Sequence, residues 1–255
     1  MGALSLFDLS GRRAVVTGGG SGLGAAMAQA LGEAGAELVL VSRRRDVLEQ
    51  TAGQLREKGI RAGHLAGDLA DLDAIGGLCR TILERFGRAD ILVNAAGANF
   101  RLPLADTTPA QWNVQIAINL SAPFFMAQGL APAMAQAGWG RIINLGSLQS
   151  YRAFPDSAPY GAAKCGILQL TRAIAREWSP RGVTCNAIAP GFFPTALTAP
   201  VFANPEAARR NAEQTCIGRN GLPDDIHGLA IFLASNASSY ITGQSIPLDG
   251  GFTSK

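Results

Sequence analysis

The stretch Gly18-Gly19-Gly20-Ser21-Gly22-Leu23-Gly24 constrains the fold more than any other, because of what flanks it. Before it, Arg13 to Thr17 reads as a short buried strand centred on Ala14-Val15-Val16. After it, an Ala-rich helix is expected from about Leu23 to Ala34, with Gly35 as its stop signal. A second strand follows at Glu37 to Val41. Strand, glycine turn, helix, strand is the opening of a parallel α/β unit. The glycines allow a tight turn and a close approach of backbone to a pyrophosphate, which then rests on the helix N-terminus.

The alternation persists along the chain. Helices are predicted over about 46–58, 72–86, 109–135, 158–178 and 223–235, and strands over 61–66, 91–93, 141–145, 183–188 and 245–248. The 109–135 helix is expected to break near Asn119 and Pro123, and a helical excursion covers about 194–216. No linker or repeat intervenes. The pattern predicts a single doubly wound Rossmann-type α/β domain over residues 1–255, with a mostly parallel seven-stranded sheet and helices on both faces. Asp68, Asn94, Ser147 and Pro190-Gly191 all follow the C-terminal ends of predicted strands, the edge where such sheets bind ligands.

Composition excludes several function classes. The 255 residues are 47% hydrophobic, enough to bury a full core. The net charge is +3 and no basic tract exceeds Arg43-Arg44-Arg45, which argues against nucleic acid as a partner. No apolar run approaches the ~20 residues of a membrane span, and the first residues lack the pattern of a signal peptide, so a cytoplasmic location is expected. Cys79, Cys165, Cys185 and Cys216 are scattered, and His64 and His227 are the only histidines. No metal site, disulfide framework or Ser-His-Asp triad is expected.

Tyr160 and Lys164 lie four apart on the predicted 158–178 helix, one turn above the other on one face. A neighbouring ammonium stabilises a phenolate and is expected to lower the tyrosine pKa, making it a proton donor and acceptor at working pH.

With these motifs in place, the chain resembles the short-chain dehydrogenase/reductase family over nearly its whole length. Thr17, Gly18, Gly22 and Gly24 match its glycine motif, and Asn94-Ala95-Ala96-Gly97 matches its Asn-Asn-Ala-Gly turn with Ala95 in place of the second Asn. Ser147 stands 13 residues before Tyr160, as the family's catalytic serine does, and Asn119 matches its helix asparagine. Pro190, Gly191 and Thr195 match its Pro-Gly-x-x-x-Thr motif. The resemblance implies hydride transfer between a nicotinamide and a ketone or secondary alcohol. It gives Tyr160 as proton donor, Ser147 as the group fixing the carbonyl oxygen, Lys164 as ribose contact and Asn119 as holder of a proton-relaying water. It implies a cofactor site along Gly18, Ser21, Gly22, Leu23, Gly24, Ser42, Arg43, Asp68, Leu69, Asn94, Ala95, Gly97, Tyr160, Lys164, Pro190, Gly191 and Thr195.

The second strand ends in Ser42-Arg43-Arg44-Arg45 with no carboxylate before Asp46. An Asp there would repel a 2′-phosphate, whereas Arg binds it. NADP(H) is therefore favoured over NAD(H), with Ser42 and Arg43 as phosphate contacts. Ser21 stands where some NADP-preferring relatives carry a basic residue.

By resemblance, about 192–219 forms a lid over a small-molecule substrate, with Phe192, Phe193 and Leu197 as an apolar roof. Gln149, Tyr151 and Arg152 are expected near the substrate, Arg152 either as an anion contact or facing solvent. The helices at about 109–135 and 158–178 are apolar on more than one face, and the resemblance implies that they pack into a homotetramer. The substrate reading favours a sugar acid or polyol. A 3-oxoacyl-carrier-protein reductase, docking its carrier on Arg172 and Arg176, is the alternative, and a non-catalytic nucleotide sensor is the alternative of another class.

Overall fold

The computed structural model describes residues 2–255. In chain order it holds β1 (Arg13–Thr17), α1 (Gly22–Glu33), β2 (Glu37–Ser42), α2 (Arg45–Glu57), β3 (Ala62–Ala66), α3 (Leu72–Phe86) and β4 (Ile91–Asn94). These are followed by α4 (Pro109–Ile116), α5 (Ala122–Gln136), β5 (Gly140–Leu145), α6 (Ala158–Trp178) and β6 (Val183–Pro190). The chain ends with α7 (Ala199–Phe202), α8 (Pro205–Glu213), α9 (His227–Ala234) and β7 (Ser245–Leu248). The seven strands form one sheet in the order β3-β2-β1-β4-β5-β6-β7. Every pairing is parallel, from Val15 opposite Val39 and Leu92 to Ile188 opposite Ile246.

The period of two along each strand builds two cores. Ala14 and Val16 on β1, Leu38 and Leu40 on β2 and Val93 on β4 face α1, α2 and α9. Val15, Val39, Val41 and Leu92 face α3, α5 and α6. Each fully buried aliphatic side chain contributes about 1.5–3 kcal/mol, so a strand apolar on both faces is stable only between two helical layers.

Three elements depart from expectation. The 109–135 helix is one continuous coil, interrupted as expected near Asn119 by a π-turn over Ala117–Ser121, but with no break at Pro123. Pro123 comes just after the π-turn, and the wider turn there accommodates its ring and its missing N–H. The 194–216 excursion resolves into the short α7 and α8, and 223–235 into a 3₁₀ turn plus α9. The 109–136 run holds an 18-residue window with the hydropathy of a membrane span, but 56% of that window is buried inside the fold, with Met126, Leu130 and Met134 packed in the core.

Candidate active site

The C-terminal ends of β1, β4, β5 and β6 open into one cleft of about 1000 Å³. Its floor at one end is the glycine turn. Gly18 has φ +68°, and a Cβ on Gly24 would lie 2.3 Å from the Gly18 carbonyl oxygen, so both positions require glycine. The side chain of Ser21 does not cap α1, which leaves first-turn N–H groups open toward the cleft. Thr17 ties this turn to the next strand end. Its hydroxyl donates to the Val93 carbonyl and accepts from Ala95 and Ala96 N–H at 3.2 and 3.3 Å.

Ser147, Tyr160 and Lys164 line the middle of the cleft together. Ser147 begins a 3₁₀ turn whose Ser150 hydroxyl accepts from Ser147 N–H and donates to the Lys164 carbonyl, locking the turn to α6. The Tyr160 phenol is pushed up from its ordinary value by burial. The hydroxyl of Ser147, hydrogen-bonded to it, and the guanidinium of Arg101 act against that rise. The expected lowering by Lys164 is not what the geometry gives. The ammonium stands 5.6 Å from the phenol ring centroid and donates to the Leu145 carbonyl at 2.7 Å. Burial brings Lys164 itself down to about 8.

Asn119 lies under the cleft, not in its lining. In the π-turn its Nδ2 donates to the Gln115 and Ala98 carbonyls at 2.8 Å each, and its Oδ1 accepts from Ala98 N–H. A Cβ on Gly97 would meet Asn119 Oδ1 at 3.0 Å and Lys164 Nζ at 3.9 Å, so both groups face the same glycine. The π-turn turns the asparagine toward this loop, a placement that helical spacing alone does not give.

Gly18, Ser21, Gly22, Leu23, Gly24, Ala95, Gly97, Pro190, Gly191, Thr195, Gln149, Phe192, Phe193 and Leu197 all line the cleft. Ser42, Arg43, Asp68, Leu69, Asn94 and Arg152 do not. Arg44 lines it where Arg43 was expected, and Arg43 is exposed. Ser42 packs beside Gly20, and Asp68 caps its own turn at Ala70 N–H. Leu69 is core. Asn94 is buried and donates to Asn144 Oδ1 at 2.8 Å, leaving its own Oδ1 without a partner among the described residues. Arg152 stacks on Phe252, 5.4 Å from the ring centroid, outside the cleft lining. Two arginines that sequence reasoning missed, Arg101 and Arg210, line the cleft instead. Arg101 stands four residues beyond Gly97 with φ +51°, and that loop geometry has no periodic signal. Among the described residues no group of three His, Cys, Asp or Glu is placed to hold a metal.

A doubly wound sheet with a serine, a tyrosine and a lysine converging on its ligand edge defines an α/β oxidoreductase. The chain belongs to the short-chain dehydrogenase/reductase family: the family model described as enoyl-(acyl carrier protein) reductase matches residues 18–253. It is 37% identical over 248 residues to gluconate 5-dehydrogenase of Gluconobacter oxydans (strain 621H), covering 97% of both chains. Its fold matches the crystal structure of a gluconate 5-dehydrogenase from Burkholderia cenocepacia J2315, in complex with NADP and tartrate, with TM-score 0.95, 38% identity and 100% coverage of each chain. It also matches a 3-oxoacyl (acyl-carrier-protein) reductase from Agrobacterium tumefaciens C58 with NADP bound, with TM-score 0.92, 33% identity and coverage of 98% of this chain and 97% of that one. The protein is an enzyme that interconverts CH–OH and C=O groups.

Proposed function

We propose that this enzyme is an NADP(H)-dependent dehydrogenase of sugar acids, working as a ketone reductase in the reverse direction. One observation carries the reading. The catalytic trio sits in a single cleft whose remaining charged lining is cationic at both ends, Arg44 at one and Arg101 and Arg210 at the other, with Asp156 the one carboxylate. A phosphate-bearing dinucleotide at one end and an anionic substrate at the other match that charge.

The glycine turn and the uncapped N-terminus of α1 fit a pyrophosphate. Arg44, with Ser42 and Arg43 behind it, fits a 2′-phosphate, and Pro190, Gly191 and Thr195 fit the nicotinamide end. Asp68, Leu69 and Asn94 support this site from beneath. When bound, the nicotinamide supplies or takes the hydride. Tyr160, neutral because burial raises its pKa, gives its proton to the substrate oxygen. Ser147 holds that oxygen against the phenol. Lys164 holds ribose hydroxyls with the donors not used by Leu145, and Asn119 fixes the Ala98 backbone beside it and carries the proton relay. The reverse reaction needs the phenolate and therefore speeds up toward alkaline pH. Gln149 and Phe192 line the substrate end, and 192–219 acts as a lid.

The carrier-protein alternative needs a basic docking surface beside the pocket, with Arg172 and Arg176, outside the cleft lining, as its candidates. Leu104, Trp112, Val114 and Phe124 are exposed along the α4–α5 face, which supports the homotetramer. A monomeric mass in solution overturns that assignment. The function is tested by initial rates of NADPH and NADH oxidation with keto-sugar acids, 3-oxoacyl thioesters, cyclic ketones and diketones. The reading expects NADPH and a keto-sugar acid to give the highest kcat/KM. Preference for a 3-oxoacyl thioester, or for NADH, overturns it.

A further inference from the structure

Two adjacent arginines on α8 have different surroundings. Arg209 is held on the outer surface by Glu206 and Glu213, three residues before it and four after it. Arg210 lines the cleft with Asn211 and Gln214, and no carboxylate pairs with it among the described residues. Arg210, the next residue on the helix, is exposed and borders the cleft. Arg101 reaches the same cleft from the β4 side, close enough to the Tyr160 phenol for its charge to act there. A substrate spanning the cleft therefore meets one cation near the reacting carbon and another on the lid.

We infer that Arg210 is a specificity-determining residue: it binds the anionic group of the substrate from the lid side and so makes lid closure depend on substrate charge. The inference rests on the sugar-acid reading above and deepens it. A carboxylate bound by Arg210 gains a charge-assisted hydrogen bond that a neutral polyol of equal length does not offer. An empty lid, by contrast, keeps an unpaired guanidinium that favours hydration and an open cleft. The free energy of closure then comes from the anion itself, which is a differential affinity between the two lid positions.

The test compares kcat/KM for D-gluconate and for D-sorbitol, with NADP⁺ as cofactor, in wild type, Arg210→Gln, Arg210→Lys and Arg209→Ala. Arg210→Gln is expected to lower the gluconate-to-sorbitol ratio ten-fold or more, through a raised KM for gluconate. Arg210→Lys is expected to restore most of the ratio, and Arg209→Ala to leave it within two-fold of wild type. A ratio unchanged in Arg210→Gln overturns the inference while leaving the sugar-acid reading intact. Equal loss on both substrates without rescue by lysine also overturns it and assigns Arg210 to lid packing. A wild type that prefers sorbitol, or that turns over neither, overturns the sugar-acid reading and this inference with it.

Discussion

The two edges of the sheet carry arginines in opposite states. At the N-terminal edge Arg12 and Arg88 pair with Asp90, and Arg13 and Arg61 pair with Glu37. Asp90 also accepts from Arg13 N–H at 2.8 Å, so the cluster fixes where β1, β2 and β4 start relative to one another. At the C-terminal edge Arg44, Arg101, Arg210 and Lys164 line the cleft, and none has a carboxylate partner among the described residues. One edge spends its charges on register. The other leaves its cations without carboxylate partners around a buried lysine, which is the signature of a site that a ligand completes.

Substitutions at each edge separate the two roles. After loss of the phenol itself, the largest effect is expected from Lys164→Met, which should lower turnover about 10²-fold or more. Its stability consequence has a definite sign. Burial lowers Lys164 from 10.5 to about 8, so between those values the unfolded chain holds a proton that the folded chain has released. Stability then rises with pH across that window in wild type relative to Lys164→Met, and the burial penalty is fully present below about 8. Denaturant melts of the cofactor-free protein at pH 7 and pH 10 measure this, and a pH-independent difference contradicts it.

Next comes Asp90→Ala at the opposite edge. Leaving Arg13 N–H without its acceptor should cost about 1–3 kcal/mol in unfolding free energy, with kcat kept within two-fold. A kcat loss without a stability loss breaks the contrast between the edges. A smaller effect is expected from reversing charge at Arg43 and Arg44 together to Asp. NADP⁺ affinity should fall about ten-fold relative to NAD⁺. Titration of both cofactors checks this, and unchanged selectivity removes the 2′-phosphate assignment.

What the sequence disclosed follows the range of each interaction. Hydrophobic period and glycine turns are local, so all seven strands and the full extent of α6 were legible, as was the convergence of Ser147, Tyr160 and Lys164. The direction of a long exposed side chain is set by contacts distant in sequence. Arg152 was therefore open between an anion contact and solvent on paper, and stacks on Phe252 in the fold, 100 residues away in the chain. Arg101 and Arg210 were missed for the same reason, since one depends on a left-handed loop residue and the other on where α8 lies against the cleft. The tyrosine electrostatics failed differently. Helical spacing brought the ammonium near, but burial, invisible in one dimension, decided the direction of the shift.

The central claim is that the Tyr160 phenol moves the proton at the C-terminal edge. It is tested most directly by Tyr160→Phe, assayed for turnover of a keto-sugar acid with NADPH and for NADPH binding by fluorescence. The account predicts turnover lower by about 10³-fold with NADPH affinity and folding retained. A variant that keeps near-full turnover contradicts it.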